Sequence, residues 1–350
     1  MSGRERRCRR KLGRIVVDPA TNHLFVTGAA SDSAIVVRNE DGSAVKSITG
    51  ESGAGGMVLD GSTLYVARCG WSVIDEIDAA TLAKTGSISA PNIDGTCDLA
   101  EAGGALWYTN TSNHLVSVTL GATPTTTDTG VLADGELATT PAHPDWLVSV
   151  FSEAYIRVYD VTDPTAPTQL GTTFAPQNAD AINDITATPN GADVLVASGA
   201  PYELLALALP GLTADGVYPT QPYPNSVAVS PDGSLIAGGT MSYYDPDVWL
   251  FPAGNSTVRT KWDFGSTNDT LYPHGLGRPE DLRCGHRRRS RRVDHGPPRH
   301  VVVERARAAS SRSSCTTTAV PWSACRSASA SPSPGTPPIS GTRPPGCASA

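Results

Sequence analysis

Six short apolar segments recur along this chain, and their spacing restricts the possible folds more than any other feature of the sequence. Each segment follows a turn and carries a leucine at the same place, and successive leucines lie 40, 42, 41, 48 and 40 residues apart. The six are Leu24, Leu64, Leu106, Leu147, Leu195 and Leu235. A period of about 40 residues indicates a repeat architecture in which each unit is one supersecondary structure.

Each repeat contains the signals of four β-strands joined by tight turns. The dipeptides Asp41-Gly42, Asp60-Gly61, Asn190-Gly191 and Asp232-Gly233 fall where hairpins must turn, because Asn and Asp tolerate a positive φ and Gly prefers it. The first two strands of each repeat are nearly continuous apolar runs, as expected for a sheet that is covered on both faces. With 34 Gly and 28 Pro, the sequence predicts an all-β fold, and four strands per 40 residues is the size of a β-propeller blade.

Six complete blades fit between Gly13 and Gly265, so we expect a propeller domain over residues 13–277. A seventh blade begins at residues 272–277 (YPHGLG), which match residues 223–228 (YPNSVA), and the pattern then stops. The prediction is therefore six four-stranded blades plus the start of a truncated seventh. Blades 1 and 6 should each leave an apolar sheet face uncovered, whereas a complete ring is expected to be a monomer.

The two ends of the chain differ in charge from its middle. Residues 1–14 carry seven basic side chains against Glu5, and residues 278–350 carry thirteen Arg against four acids. The remainder, residues 15–277, has 7 basic and 29 acidic side chains, and its net charge of -22 argues against nucleic acid as a partner. No apolar run is long enough to span a membrane, and no signal peptide is visible.

Residues 1–12 are expected to form a basic, disordered arm, and residues 278–350 a disordered tail rich in Arg, Pro, Ser and Ala. The abrupt change in composition after Gly277 is typical of out-of-frame translation of a GC-rich gene. A genuine low-complexity tail is the alternative.

Two segments resemble known propeller repeats. Residues 224–239 (PNSVAVSPDGSLIAGG) resemble the YVTN-type seven-bladed propeller repeat, and residues 156–171 (IRVYDVTDPTAPTQLG) are similar to the LVIVD repeat of related bacterial surface propellers. The resemblance implies an extracytoplasmic bacterial protein, secreted or on the cell surface, in a group mostly without a defined reaction. Some similar propellers are lactonases or streptogramin lyases.

The loops that lead into the first strands of a propeller converge on its central channel, where a ligand would bind. The candidate ligand-binding residues in these loops are Asp94, Thr96, Glu136, Asp184, Asn225 and His274. A ring of carboxylates there could hold Ca2+ or another hard cation, or the acids could be turn formers that cap backbone N–H groups. His274 could act as a general base if an acid lay across the channel.

The sequence contains no HExxH, paired CxxC or GxSxG motif, and its seven His residues show no metal-ligand spacing, so we predict no metal site, no cofactor and no assigned catalytic residue. Cys69 and Cys97 lie in loops at the same end of neighbouring blades. They are candidates for a disulfide, which would suit an exported protein, or they are two unpaired thiols.

Two classes of function remain open. The first is a non-enzymatic propeller that binds a protein or a carbohydrate, and it is favoured because no catalytic set emerges. The second is a hydrolase or lyase, lactonase-like or streptogramin-lyase-like, with its site at the channel mouth. An enzyme requires an acid–base pair within hydrogen-bond reach at that mouth, whereas a binding protein can show scattered polar residues and exposed aromatic side chains such as Trp71, Tyr243 and Tyr244.

Overall fold

The protein forms six four-stranded antiparallel sheets arranged as the blades of a propeller ring. The structure, a computed structural model, describes residues 12–28, 33–93, 97–152, 155–175, 182–198, 202–220, 223–240 and 246–263. Within these ranges all regular secondary structure is β, and no helix that could span a bilayer is present. The predicted all-β propeller of six four-stranded blades is confirmed. The start of the seventh blade, the tail and residues 1–11 of the arm lie outside the described residues.

The blades follow one another along the chain, and the strands within each blade are numbered in chain order. Blade 1 contains β1 (Leu12–Asp18), β2 (His23–Gly28), β3 (Ala34–Asn39) and β4 (Ala44–Thr49); blade 2 contains β5 (Ala54–Asp60), β6 (Thr63–Arg68), β7 (Val73–Asp78) and β8 (Ala83–Ser89). Blade 3 contains β9 (Ala100–Ala102), β10 (Ala105–Thr109), β11 (His114–Thr119) and β12 (Thr125–Leu132); blade 4 contains β13 (Leu137–Thr140), β14 (His143–Phe151), β15 (Tyr155–Asp160) and β16 (Thr168–Phe174). Blade 5 contains β17 (Ile182–Ala187), β18 (Asp193–Ser198), β19 (Glu203–Ala208) and β20 (Thr213–Pro219); blade 6 contains β21 (Pro224–Val229), β22 (Leu235–Thr240), β23 (Val248–Pro252) and β24 (Thr260–Trp262).

Tight turns with Asp or Asn and Gly connect the strands at one end of the propeller. In blade 6, Gly233 has a φ of 70°, and the Asp232 carboxylate accepts a hydrogen bond from the Ser234 amide at 3.0 Å. The left-handed backbone suits a residue without a Cβ atom. The short acidic side chain accepts a hydrogen bond from a turn amide in place of a backbone carbonyl. We call this end of the ring the back face. The opposite end, where each first strand begins and each second strand ends, is the front face.

Apolar side chains fill the space between each blade and the next. Five clusters of buried residues join blades 1 and 2, 2 and 3, 3 and 4, 4 and 5, and 5 and 6. Leu64, Leu106 and Trp107 are fully buried in three of these clusters. Each seam removes large apolar side chains from water, at about 1.5–3 kcal/mol for each fully buried aliphatic or aromatic side chain, so the seams hold the blades together.

The seam between blade 6 and blade 1 differs from the other five. On the far face of blade 6, the cluster of Ala228, Leu235, Ala237 and Leu250 is buried, but no described residue of blade 1 belongs to it. Val16 packs toward blade 2, so alternation along β1 turns Ile15 and Val17 to the opposite face.

The outer face of blade 1 is only half-buried at Ile15, Val17, Leu24, Val26 and Val36. The prediction of an uncovered apolar face is therefore wrong for blade 6, whose face is buried. For blade 1 the face is partly exposed, in contrast to the dry seam on its other side.

Gly103 and Gly104 in the turn between β9 and β10 provide a matched test of one seam. Both have a positive φ, 60° and 70°, but a Cβ atom on Gly103 would collide with the Val161 carbonyl oxygen of blade 4, whereas Gly104 faces open space. We expect Gly104→Ala to lower the free energy of unfolding by about 1 kcal/mol, because of the left-handed backbone alone. Gly103→Ala should cost about 1–3 kcal/mol more, because it also forces the two blades apart. Urea unfolding of both variants checks this, and equal losses would contradict the contact.

Candidate functional site

A central channel runs between the first strands of the six blades. Its cavity has a volume of about 250 Å3, and all six blades contribute lining residues. These include Arg14, Met57, Asp98, Leu137, Ile185 and Val227. Most of the lining side chains are apolar, and the charged residues among them are Arg14, which reaches across the channel, and Asp98.

Six equivalent positions, one in each blade, stand at the front end of this channel. Each immediately precedes an apolar residue that lines the channel, and the six are Arg14, Gly56, Asp98, Glu136, Asp184 and Ser226. In blades 1, 2, 5 and 6 the pairing of the first and second strands is irregular at or beside this position. Such bulges redirect a side chain out of the regular alternation.

The Arg14 guanidinium lies among carboxylates from three other blades. Its Nη2 atom is 2.9 Å from Asp98 Oδ2 and also pairs with Glu136, while Nη1 is 3.2 Å from Asp184 Oδ1. Asp98 and Asp184 retain only 6% and 1% of their side-chain exposure. One arginine therefore connects blade 1 to blades 3, 4 and 5 across the channel, and the planar guanidinium suits such a task because its donors point in fixed directions.

The charges of this cluster do not balance, because three carboxyl groups surround one guanidinium. Burial lowers the pKa of Arg14, but the carboxylates of Asp98 and Asp184 outweigh it, so the arginine stays charged. Burial raises the pKa of Asp184 to about 7, against the opposing effect of Arg14. The cluster thus holds Asp184 partly protonated near neutral pH.

Two acids in the cluster also bind the backbone of the following blade. Asp98 Oδ2 accepts a hydrogen bond from the Leu137 amide at 2.8 Å, and Asp184 Oδ2 accepts one from the Val227 amide at 2.7 Å. Asp184 therefore caps a backbone N–H group, but the group belongs to the next blade and not to a turn that Asp184 itself forms. The same contact gives Asp98 a role between blades that the sequence did not reveal.

The structure brings together only part of the predicted ligand-binding set. Glu136 and Asp184 meet at Arg14, whereas Asp94, Thr96 and His274 lie outside the described residues. Asn225 is buried beside the cluster, and its Oδ1 atom has no hydrogen-bond partner in the part of the chain that the structure describes. In the described ranges no group of three or more His, Cys, Asp or Glu side chains is arranged to hold a metal ion.

Arg14 is the site residue that the sequence analysis does not single out, because it appears there only as one of the seven basic side chains of residues 1–14. The signal was nevertheless present in the repeat: when first strands are aligned on their apolar residues, Arg14 takes the place of Asp98, Glu136 and Asp184. A lone basic residue at a position that is acidic in three other repeats indicates an ion pair across the axis.

One acid–base pair within hydrogen-bond reach is present in the described part of blade 3, away from the channel. His114 Nδ1 lies 3.0 Å from Asp128 Oδ1, and Asn110 donates to the same carboxylate at 2.9 Å. These residues belong to or adjoin the third and fourth strands, at the outer edge of the blade. The pair fixes that edge and does not face the central channel.

Exposed aromatic side chains gather on the front face. Within the described ranges there are four, namely Trp71 (60% exposed), Tyr155 (40%), Tyr202 (49%) and Tyr223 (48%), and each lies in or next to a loop of this face. The Tyr202 and Tyr223 rings meet edge to face with centroids 5.8 Å apart. Large exposed aromatic groups on one end of a ring are typical of a binding surface.

A buried ion network supports Trp71 in blade 2. The Arg68 guanidinium lies 5.1 Å from the Trp71 ring, and its Nη1 atom is 2.9 Å from Asp75 and 3.6 Å from Glu51. Lys84 completes the network at 2.7 Å from Asp75. Burial and the nearby Asp75 carboxylate raise the pKa of Glu51 to about 7, and the pKa of Asp75 is lowered to about 2, because hydrogen bonds from Lys84 and Ser87 outweigh its burial.

Cys69 and Cys97 form a disulfide bond at the front face, with Cα atoms 5.5 Å apart. The bond joins the loop after β6 to the residue before Asp98, so it links blade 2 to the start of blade 3 beside the channel. The Cys97 carbonyl oxygen also accepts a hydrogen bond from the Gly56 amide at 2.7 Å. The disulfide therefore fixes the approach of one of the three acids to Arg14.

Solved structures of propellers share this fold. The chain is similar to KlHsv2 with loop 6CD replaced by a Gly-Ser linker, at a TM-score of 0.54 and 11% identity over 74% of this chain and 83% of that one. It is also similar to Kluyveromyces lactis Hsv2, at a TM-score of 0.52 and 13% identity over 70% of this chain and 75% of that one. No protein-family model and no curated protein matches the sequence. At such identities the likeness supports the propeller fold alone.

Replacement of Arg14 tests whether this residue holds the ring together. We expect Arg14→Met to lower the free energy of unfolding by about 3–5 kcal/mol, because it leaves buried carboxylates without a counter-charge. Adding Asp98→Asn should recover part of this loss, since one negative charge is then removed. Arg38→Gln is the control, because among the described residues Arg38 donates only to the Gly42 carbonyl on the back face. Denaturant unfolding measures all three, and a loss below 1 kcal/mol for Arg14→Met would contradict the role.

Glu51 makes the stability of the protein depend on pH. Its folded pKa of about 7 lies above the ordinary value of 4.5, so the folded state holds a proton that the unfolded state has released between these values. The stabilisation of the folded state by this proton is complete below about pH 4.5, and it is lost as the pH rises through 7. The Glu51→Gln variant imitates the protonated form. The free energy of unfolding of this variant relative to that of the wild type should therefore increase by about 1–2 kcal/mol from pH 4.5 to pH 8. Thermal unfolding across this range checks the trend, with Glu40→Gln as control, and a constant difference would exclude it.

Proposed function

We propose that the protein is a non-enzymatic binding module that uses the front face of its propeller to hold a protein or carbohydrate partner. The observation that carries this proposal is the location of all four exposed aromatic side chains of the described residues on that face. Tyr and Trp provide large contact areas with little loss of conformational entropy, and they are enriched in binding hot spots. A β-propeller is in general a suitable scaffold for interaction.

The ionic arrangement in the channel favours binding over catalysis. A hydrolase or lyase site at the channel mouth would need a free acid and base, but Glu136 and Asp184 are engaged by Arg14. The His114–Asp128 pair lies at the outer edge of blade 3, where the channel does not reach. The lactonase-like or lyase-like alternative is therefore the less favoured one, because Arg14 engages two of the acids that such a site would use.

The proposal includes an extracytoplasmic setting and the YVTN or LVIVD repeat type. The disulfide between Cys69 and Cys97 supports an oxidising compartment, since such bonds persist mainly in exported proteins. The sequences of residues 156–171 and 224–239 support the repeat type. A seventh blade that begins at residues 272–277 would cover the outer face of blade 1, and the incomplete burial of that face supports it.

Arrays of secreted proteins, cell-surface proteins and glycans test the proposal. The wild-type chain is compared with a front-face variant, Trp71→Ser, Tyr202→Ser and Tyr223→Ser, and with a control, Val45→Ser and Val217→Ser, at exposed apolar residues away from that face. We expect the front-face variant to lose at least tenfold in affinity for a bound ligand, and the control to match wild type. Equal binding by all three proteins, or hydrolysis of a lactone or ester by the wild type, would contradict the proposal.

A further inference from the structure

A second cavity lies between blades 5 and 6, near the back face, and it shares no lining residue with the central channel. Its volume of about 400 Å3 is within the range of pockets that enclose small organic molecules. Blade 5 contributes a turn and residues of its second, third and fourth strands, and blade 6 contributes turn residues and Ile236. Among the described residues, no His, Lys or Arg lines this cavity. We call it the blade 5–6 cavity.

Short side chains on blade 5 open this space. Ala206 in β19 pairs with Gly216 in β20, and both residues line the cavity. In blade 2 the equivalent glycine, Gly86, pairs with Glu76, whose carboxylate lies close to the position that a Cβ atom on Gly86 would take. A Cβ atom on Gly216 would meet only the Ala206 methyl group among the described atoms, at 4.0 Å. Blade 5 therefore leaves empty a place that blade 2 fills with its own side chain.

Two aspartates give the cavity its charge. Asp193 is the first residue of β18, and alternation along this strand places it on the same face as Leu195, which packs toward blade 6. Asp215 lies at the irregularity in the pairing of β19 with β20, beside Gly216. Burial raises the pKa of Asp193, and the nearby Asp215 carboxylate raises it further. Two neighbouring carboxyl groups favour a positive charge placed between them.

The Asp193 side chain is also short of hydrogen bonds. Its Oδ1 atom is buried and has no hydrogen-bond partner in the part of the chain that the structure describes. The backbone of the same residue is satisfied, because its amide donates to the Thr188 hydroxyl at 2.9 Å and its carbonyl accepts from the Thr188 amide at 2.8 Å. An unpaired buried acceptor costs free energy. A ligand that brings both a positive charge and hydrogen-bond donors therefore suits this pair of acids.

The walls of the cavity are apolar and are held in place by contacts between the two blades. The Tyr218 hydroxyl accepts a hydrogen bond from the Gly254 amide at 2.9 Å, and the Tyr218 ring meets Phe251 edge to face with centroids 5.4 Å apart. Leu195 and Ile236 add buried aliphatic surface from either side. A site whose walls are already fixed loses little conformational entropy when a ligand binds. Apolar walls beside two carboxyl groups suit a cation that is carried on a hydrocarbon body.

A bare metal ion fits this cavity less well than an organic cation. Calcium takes about six to eight oxygen ligands, whereas two carboxyl groups line the cavity in the described ranges. Two further oxygens of the lining are already engaged, because Asn190 Oδ1 accepts a hydrogen bond from the Ala192 amide at 3.1 Å and the Thr188 hydroxyl accepts one from Asp193. A single ion would also leave most of the volume of about 400 Å3 unfilled.

We propose that the blade 5–6 cavity binds a small organic amine, with the ammonium group of the ligand between Asp193 and Asp215. Its hydrocarbon body lies against Leu195, Ala206 and Ile236. Charge-assisted hydrogen bonds to the two carboxylates orient the ligand, and burial of its apolar body adds affinity. This inference goes beyond the front-face function proposed above, because it concerns a different class of ligand at the other end of the ring.

Isothermal titration calorimetry of the full-length protein with 2-phenylethylamine tests the proposal. The matched neutral probe is 2-phenylethanol, which has the same hydrocarbon body without the positive charge. We expect the amine to bind at least about tenfold more tightly than the alcohol, and to lose affinity as the salt concentration rises. Equal affinities, or no binding of the amine, would overturn the proposal. So would tighter binding of calcium chloride or of N-acetyl-lysine methylamide, because a metal ion or a protein side chain would then be the occupant.

The Asp193→Asn and Asp215→Asn variants test the position of the ammonium group. Each variant removes one of two neighbouring carboxyl groups without changing the size of the side chain, so each should fold. Each should also weaken binding of 2-phenylethylamine at least about tenfold, because one charge-assisted contact is lost. The control combines Glu40→Gln with Asp60→Asn, which removes two carboxyl groups outside the cavity, and it should bind as the wild type does. Unchanged binding by both aspartate variants, or an equal loss in the control, would refute this placement.

The Gly216→Leu variant tests the position of the hydrocarbon body. Gly216 does not have a positive φ, and a side chain there extends into open space, so the substitution fills the cavity without a backbone clash. We expect binding of 2-phenylethylamine to be lost while the urea midpoint does not fall, since glycine inside a strand is unfavourable. Gly211→Leu is the matched control, because Gly211 also faces open space but does not line the cavity. Retention of binding by a folded Gly216→Leu variant would exclude the blade 5–6 cavity as the site.

Discussion

Each sheet of this propeller has two apolar faces, and each face needs a neighbouring sheet to cover it. This requirement determines most of what the structure contains. The dry clusters between consecutive blades account for the buried side chains of the first three strands, and they explain why the first two strands carry continuous apolar runs. The half-buried outer face of blade 1 does not fully meet this requirement, because it lacks the dry packing found on the other face of the same blade.

Arg14 supplies a second kind of connection, which acts across the ring instead of around it. A buried cluster of three carboxyl groups and one guanidinium carries a large desolvation penalty, since every buried charge loses its hydration. Its effect is on geometry, because a single side chain fixes the positions of blades 1, 3, 4 and 5 relative to one another. Asp98 and Asp184 extend this effect into the backbone of the next blade.

The front face combines rigid support with exposed aromatic groups. Trp71 stands on Arg68, which is fixed by Asp75 and Glu51, and the nearby disulfide holds the loop that follows β6. A surface residue on so rigid a base loses little conformational entropy when it binds a partner. The channel acids are engaged by an arginine from within the protein, so this face recognises a partner through contact and charge complementarity.

Periodicity along the chain was enough to determine the fold class, the number of complete blades and the turns at Asp and Gly, because these depend on local backbone preferences and on spacing that is visible in the sequence. The choice of Glu136 and Asp184 as channel residues followed from the same alignment. The sequence could not establish that Arg14 pairs with them, since that depends on residues 122 and 170 positions apart being placed on one axis. Nor could it decide between a disulfide and two thiols for Cys69 and Cys97, or place the exposed rings on one face, because these facts depend on how the blades pack. Only the closed packing of sheets, which sets the distances between loops far apart in the chain, determined them.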